Sequence, residues 1–361
     1  MVTPPPLSVS TPGSTPGSAQ GDAVPIRLGT RASALATTQS GLVARRLEEL
    51  TGRPVELVHI RTEGDVSTGS LASLGGTGVF VTALREALLD GRCDVAVHSL
   101  KDLPTTPAPD LTFVTPERED PRDALCARDG LTLTTLPRGG RVGTGSPRRA
   151  AQIRAARPDL DVVDIRGNVG TRLDRAIGPD ADLDAVVLAY AGLARLGRTE
   201  VISEVLDVDV VAPAPGQGAL AVEVRTADIV SDPLTGTGKR GGAAPRVPDL
   251  AEAIHLLDHR PTRLAVLAER SVLARLEAGC AAPVGAHARV SGTVLELRAL
   301  VAAVDGSEQM SRSGEALLSQ DVAPEALDDA ARRLGTSVAE NLLADGAERL
   351  APLSTTVPEK A

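Results

Sequence analysis

The sequence predicts an α/β chain of two similar lobes followed by a small α+β unit. Three observations carry this prediction. Apolar runs alternate with helical patterns in β-α-β-α-β order from residue 26, the pattern restarts at residue 141, and beyond residue 260 the order changes. A chain of 361 residues is long enough for two or three domains. Hydrophobic content of 42% with 24% charged residues is ordinary for globular protein, so each domain can bury a core.

Taken in order, Ile26 to Gly29 reads as a short buried strand and Ser33 to Leu50 as a helix. Val55 to Ile60 is a second strand and Val79 to Leu89 a second helix. Asp94 to Val97 is a third strand, running into His98-Ser99-Leu100-Lys101-Asp102. This order implies a largely parallel sheet, with binding residues at strand ends and helix starts. Arg141 to Gly143 then opens a second such series, followed by a helix through Arg157 that Ser146 can cap with Pro147 at its first position. Val162 to Ile165 and Ala185 to Leu188 are further strands. Leu28-Gly29-Thr30-Arg31-Ala32-Ser33 and Val142-Gly143-Thr144-Gly145-Ser146-Pro147 share one plan of strand, Gly-Thr, Ser and helix. Two such openings imply a cleft that offers two helix N-termini to one anionic ligand. A Pro- and Gly-rich segment, roughly Thr226 to Pro248, reads as an insertion or linker. After it come a helix from about Thr262 to Ala278 ended by Gly279, alternating segments over Ala288 to Val304, and a helix from about Pro324 to Leu343.

Composition excludes several classes of function. The chain has no Trp, one Tyr and two Phe, which argues against aromatic stacking of single-stranded nucleic acid. Net charge of -9 argues against nucleic-acid binding in general. Three cysteines without a CxxC pair fit a reducing compartment, where a special cysteine is a thiol that does chemistry. Residues 1–24 are Pro-, Ser- and Thr-rich and lack the features of a signal or transit peptide, and no apolar run reaches membrane-spanning length. The expectation is a cytoplasmic protein with a disordered N-terminal tail.

Eight arginines against four aspartates lie between Arg141 and Arg175, a positive patch in an acidic protein. Arg148 and Arg149 follow a helix-opening loop, and Arg166-Gly167-Asn168-Val169-Gly170-Thr171-Arg172 follows a strand. Guanidinium forks grip carboxylates or phosphates in pairs, although a solvated Arg-rich face explains the spacing equally well. The loop is no dinucleotide fingerprint, because Arg148 stands at the third glycine of GxGxxG, and no Walker GK[ST] occurs. Lys101 and Asp102 place a cation beside a carboxylate at a cleft edge. Asp102 could hold a proton or stabilise a developing cation, while an ordinary surface pair is the simpler reading. Cys280 follows a helix end and could be a loop nucleophile, although its position alone favours a structural cysteine. His255 and His259 read as four apart on one helix, but Leu256 replaces the glutamate of HExxH, so no metal site is expected.

Taken together, these segments resemble the porphobilinogen deaminase (hydroxymethylbilane synthase) family. The resemblance runs from Ile26 into the C-terminal region through Gly29-Thr30-Arg31-Ala32-Ser33, Val97 to Pro104, Glu119-Asp120-Pro121-Arg122-Asp123-Ala124 and Val142 to Ser146. It continues through Arg166 to Arg172, Ala191 to Gly197, Pro215-Gly216-Gln217-Gly218 and Glu277 to Gly285. It implies an α/β fold of two periplasmic-binding-protein-like lobes plus a small α+β C-terminal domain. The implied division is a tail over 1–24, domain 1 over 25–117 and 213–225, domain 2 over 118–212, an insertion over 226–249 and domain 3 over 250–361.

The resemblance also implies a transferase that adds four porphobilinogen units head to tail to a dipyrromethane cofactor and releases hydroxymethylbilane by hydrolysis. The cofactor would hang from Cys280 through a thioether, with Lys101, Asp102, Ser33, Thr144, Ser146, Arg148, Arg149, Arg172 and Gln217 around it. Substrate carboxylates would meet Arg31, Arg148, Arg149, Arg166, Arg172 and Arg195, and Asp102 would be catalytic. Each addition expels ammonia and leaves an electron-poor azafulvene beside that carboxylate. The enzyme is expected to be a monomer without nucleic-acid, membrane or metal partners. Two departures from the family stand out: Ser73 and Thr77 replace lysines common in a lid loop, and the 226–249 segment is long. Rival readings are a two-lobed anion-binding protein and a paralogue that binds pyrroles without turnover. The first gives Asp102 and Cys280 nothing to do and leaves the third domain unexplained.

Overall fold

The computed structural model describes residues 24–60, 78–229, 248–278, 282–319, 321–351 and 353. The first lobe begins with β1 (Ile26–Thr30), α1 (Ala34–Thr51), β2 (Val55–His59), α2 (Gly78–Leu89), β3 (Val95–Ser99) and β4 (Leu111–Val114). Its sheet has the order β2-β1-β3-β10-β4, where β10 (Leu220–Arg225) returns late in the chain. Strands β1, β2 and β3 are parallel, and β10 runs antiparallel to both β3 and β4. Four of the five strands therefore share a direction, in keeping with the β-α-β-α-β pattern. The Val95-Ala96-Val97 run is continuous rather than alternating because β3 is buried on both faces. Ser33 starts α1 by accepting the Ala36 N–H at 3.3 Å, and Gly52 ends it in the left-handed region at φ 64.

The second lobe repeats the plan with β5 (Asp123–Ala127), β6 (Arg141–Gly143), α3 (Pro147–Ala156), β7 (Asp161–Val163), α4 (Val169–Ile177), β8 (Ala185–Ala189), α5 (Tyr190–Arg195) and β9 (Glu204–Val205). Its order is β7-β6-β8-β5-β9, with β5 antiparallel to its neighbours. In each sheet, then, the reversed strand is the one that enters from the other lobe. Ser146 caps α3 with Pro147 in the first turn, and Asn168 caps α4 by accepting the Thr171 N–H at 2.9 Å.

After β10 come α6 (Thr226–Ile229), α7 (Leu250–Leu257), α8 (Arg260–Arg275), β11 (Val284–Ser291), β12 (Val294–Ala302), β13 (Gln309–Leu317) and α9 (Pro324–Ala344). The three strands form an antiparallel sheet whose α8- and α9-covered face buries Leu295, Leu297, Ala299 and Val301 of β12, while Leu300 and Ala302 on its other face are buried against Ala151 and Ala212. Leu264, Ala268 and Val272 of α8 meet Leu327, Ala331 and Val338 of α9 over that face.

Several elements differ from the sequence expectation. Helix α7 is not part of the third unit's core: its Ala253, Ile254 and Leu257 pack into the first lobe's core with Ile26, Val43 and Val95. Thr226–Ile229 is helical, although it fell within the expected insertion. His255 and His259 are on different helices, because α7 ends at Leu257 and His259 caps α8 ahead of Pro261, whose ring cannot continue a preceding helix. Helix α8 ends at Arg275 rather than at Gly279, with Glu277 in the left-handed region at φ 50. Strands β4, β5, β9, β10 and β13 were not anticipated. Cys280, Ser73, Thr77, the 1–23 tail and residues 230–247 lie outside the described residues.

Candidate active site

The chain crosses between lobes twice, after β4 and before β10, and the two crossings run side by side. The Glu119 N–H donates to the Gly218 carbonyl at 3.3 Å, and Arg118 Nε donates to the Gln217 carbonyl at 2.7 Å. Gly218 takes φ 88, and a Cβ there would collide with the Glu119 carbonyl, so glycine is required on both counts. The third unit docks on these crossings through Glu269 of α8, which is fully buried. Its carboxylate accepts from Arg118 at 2.7 and 3.0 Å, from the Gly216 N–H at 2.7 Å and from the Ala288 N–H at 2.7 Å. A buried carboxylate with four donors offsets its desolvation, so the hinge, the first lobe and the third unit are pinned at one point.

Beside this joint, the buried Gln217 amide links the lobes. Its oxygen accepts from Lys101 Nζ and from an Arg149 terminal nitrogen, each at 3.3 Å. Its nitrogen donates to the Pro121 carbonyl and to Asp123 Oδ1, each at 2.7 Å. Asp123 has 0% exposure and lies between two buried guanidiniums. Arg148 donates to Asp123 Oδ2 at 2.8 Å, and Arg149 donates to Oδ1 from Nε at 2.9 Å and from a terminal nitrogen at 2.7 Å. Burial opposes ionisation of Asp123, but the charges and hydrogen bonds of Arg148 and Arg149 outweigh it and hold the carboxyl well below the usual range.

Arg148 also donates to the Ala212 carbonyl, and Arg149 to the Val187 carbonyl at 3.3 Å. Every nitrogen of Arg149 thus has an acceptor within the protein, whereas the buried Nε atoms of Arg148 and Arg172 have none among the described residues. Burial, then Arg149, pulls the Lys101 ammonium down to about 8. Arg172, half-buried on α4, is lowered by burial, then by Arg149 and Arg166. Thr144 is buried and accepts the Ser146 N–H at 3.2 Å, while Ser146 accepts the Arg149 N–H at 3.5 Å.

Asp102 is exposed at the end of a 3-10 turn, Leu100–Asp102, that follows β3. Arg31 is half-buried just past β1, and Ser33 is engaged as the α1 cap. Arg195 donates to the Gly218 carbonyl and is lowered by burial. Arg166 is exposed and paired with Asp164 at 3.0 Å, outside the buried cluster. The structure thus brings together Lys101, Gln217, Arg148, Arg149 and, by proximity of charge, Arg172. Sequence reasoning gave Asp123 no role; its signal was an acid opening an otherwise apolar strand, Asp123-Ala124-Leu125-Cys126-Ala127.

Three buried or half-buried cations, Lys101, Arg148 and Arg149, share one buried carboxylate. With the Arg148 and Arg172 Nε atoms unpartnered among the described residues, the excess of buried positive charge is chemically suited to a ligand carrying several carboxylates, such as a pyrrole cofactor bearing acetate and propionate groups. Among the described residues, no cluster of three or more His, Cys, Asp or Glu could hold a metal ion, and no helix is long and apolar enough to cross a membrane.

Residues 26–231 match the family description "Porphobilinogen deaminase, dipyromethane cofactor binding domain", and residues 263–344 match "Porphobilinogen deaminase, C-terminal domain". The chain is 54% identical to the porphobilinogen deaminase of Micrococcus luteus over 90% of its own length and 94% of the relative's. It is 54% identical to that of Cutibacterium acnes over 91% and 97%. Among solved structures it is similar to the ligand binding component of an ABC-type import system from Staphylococcus aureus. That match has 13% identity and a TM-score of 0.32, covering 68% of this chain and 72% of that one.

Proposed function

The chain belongs to the porphobilinogen deaminase family, and we propose that Cys280 carries its dipyrromethane cofactor while Asp102 is the catalytic carboxylate of the condensation. The enzyme is a transferase of tetrapyrrole biosynthesis that joins four porphobilinogen units head to tail on dipyrromethane and releases hydroxymethylbilane by hydrolysis. The observation that carries the site assignment is the Gln217 amide, which ties Lys101, one residue from Asp102, to the Arg149–Asp123 cluster of the opposite lobe.

When bound, the dipyrromethane would supply the free pyrrole carbon for the first addition, and the terminal pyrrole of the growing chain would supply it for each later one. Each addition makes one C–C bond, breaks the aminomethyl C–N bond, and returns the pyrrole hydrogen as a proton, so that ammonia leaves. Asp102, exposed at the end of the turn, is free to sit beside the pyrrole nitrogens. There it stabilises the cation formed as ammonia departs and takes up the proton lost afterwards. Arg148 Nε, Arg172 Nε, Arg31, Arg166, Arg195 and Lys101 hold carboxylates. Thr144, Ser146 and Ser33 bring helix N-termini and hydroxyls to the same ligand. Asp123 orients Arg149, whose nitrogens are already engaged, so Arg149 acts mainly as a fixed charge.

We propose domain 1 as residues 25–117 and 213–225 joined by α7, domain 2 as 118–212, and domain 3 as the remainder from α8 onward. We place the protein in the cytoplasm as a monomer without nucleic-acid or membrane partners. Net charge of -9 and the paucity of cysteine support this placement.

The test is intact mass together with Ehrlich's reagent. Wild-type protein from porphobilinogen-competent cells should carry pyrrole mass and colour, both lost in Cys280→Ser. Asp102→Ala should keep the bound pyrrole yet lose turnover by several powers of ten, about 1.4 kcal/mol for each. A bare wild-type polypeptide would refute the tether, and near-normal turnover in Asp102→Ala would remove that residue from the mechanism.

A further inference from the structure

Among the described residues, no side chain holds the Asp102 carboxylate, so its position depends on the backbone turn that carries it. That turn, Leu100–Asp102, is closed by the Leu103 N–H donating to the Leu100 carbonyl at 3.1 Å, and is tied to the first lobe by the Leu100 N–H donating to the Ala219 carbonyl at 3.0 Å. Carbonyls at both ends of this segment, those of Leu100, Leu103 and Pro104, accept from Arg270, a side chain from the third unit. Arg270 donates from one terminal nitrogen to the Leu103 carbonyl at 2.8 Å and the Leu100 carbonyl at 3.3 Å, and from the other to the Pro104 carbonyl at 2.6 Å. Its guanidinium lies 5.8 Å from the centre of the Phe113 ring, which limits where the fork can go. The three acceptors bracket Lys101 and Asp102 on both sides.

The structure assigns Arg270 as a positioning residue for the reaction: its guanidinium clamps the Leu100–Pro104 turn and so sets where the Asp102 carboxylate stands. A planar fork suits this task because three backbone carbonyls in an arc need three donors in fixed directions, which a lysine ammonium on a flexible stem does not supply. Arg270 is one residue from Glu269, which pins the hinge, and α8 ends at Arg275, five residues before Cys280. One rigid helix therefore holds the Asp102 turn at one point and leads into the cofactor-bearing segment at its end. Burial, then the nearby Arg85, lowers Arg270 to about 10, which leaves it charged at neutral pH. Simple glue between the third unit and the first lobe is a different role, because loss of glue would loosen the whole contact rather than one turn.

The inference rests on the Asp102 assignment above, and the experiment separates the two. Arg270→Met and Arg270→Lys are compared with wild-type holoenzyme by kcat and KM, by intact mass, and by amide hydrogen exchange over residues 100–105, 213–218 and 284–288. A misplacement of about 1 Å can cost about a hundredfold in rate, so kcat should fall about 10- to 100-fold in Arg270→Met. KM should stay within about twofold, because the guanidinium cradle of the second lobe is untouched. Pyrrole mass should be retained, exchange should rise over 100–105 alone, and Arg270→Lys should recover only part of the rate. The assignment is overturned if kcat stays within about twofold of wild type, if exchange over 100–105 is unchanged, or if exchange rises equally at 213–218 and 284–288. Should Arg270→Met not fold, exchange in Arg270→Lys decides by the same criteria. Normal turnover in Asp102→Ala would sink the carboxylate's role without touching the exchange result.

Discussion

Asp123→Asn isolates the charge at the centre of the arginine cluster. The substitution keeps the shape and one acceptor but removes the anion between two buried guanidiniums, with Arg148 at 4% and Arg149 at 5% exposure. Removing one partner of a buried ion pair costs about 3–5 kcal/mol, because an uncompensated charge is left behind. At about 4–8 °C per kcal/mol for a unit of 60–100 residues such as domain 2, the thermal midpoint should fall by about 12–40 °C. The pH dependence has a definite sign. The folded carboxyl lies below its unfolded value of about 3.9, so its contribution is complete above that pH and is lost as pH falls towards the folded value. The gap between wild type and variant, followed by circular dichroism during heating, should be constant from pH 6 to 8 and should close in acid. A loss under about 1 kcal/mol at pH 7, or a gap as wide at pH 3 as at pH 7, would refute the reasoning that Asp123 anchors the cluster.

Lys101 should take up a proton when carboxylates arrive, since burial and Arg149 hold it near 8 and an anion restores its ordinary value near 10.4. Porphobilinogen binding to Cys280→Ser protein at pH 8.5 should therefore show a calorimetric heat that varies with the buffer's ionisation enthalpy, and Lys101→Met should abolish the variation. A buffer-independent heat in the parent protein would contradict this. Because the folded value lies below the unfolded one, ligand-free protein should gain stability as pH climbs from about 8 to about 10, and Lys101→Met should flatten that rise. Gly218→Ala should cost about 1–3 kcal/mol in urea unfolding, through the positive φ and the Glu119 carbonyl together. A neutral effect would mean that the crossings separate freely.

What the sequence by itself determined was local. A strand buried on both faces had to be an apolar run, so β3 was readable as Val95-Ala96-Val97, while β1 and β2, which hold Arg27 and Glu56, were readable from apolar residues on one face, Ile26 with Leu28 and Val55 with Leu57. Ser33 and Ser146-Pro147 announced their helices because capping is decided within four residues. The collinear motifs identified the family and pointed to Lys101, Asp102, Gln217 and the arginines. Only the tertiary structure decided what those charges do. Asp123 lies 25 residues from Arg148, Lys101 lies 116 from Gln217, and Arg270 lies 167 from the Leu103 carbonyl that it holds. A guanidinium in a sequence is the same object whether it faces water, a buried aspartate or an arc of carbonyls. Its strength and task are set by the water excluded around it and by the partner the fold brings near, and neither is encoded in its neighbours along the chain.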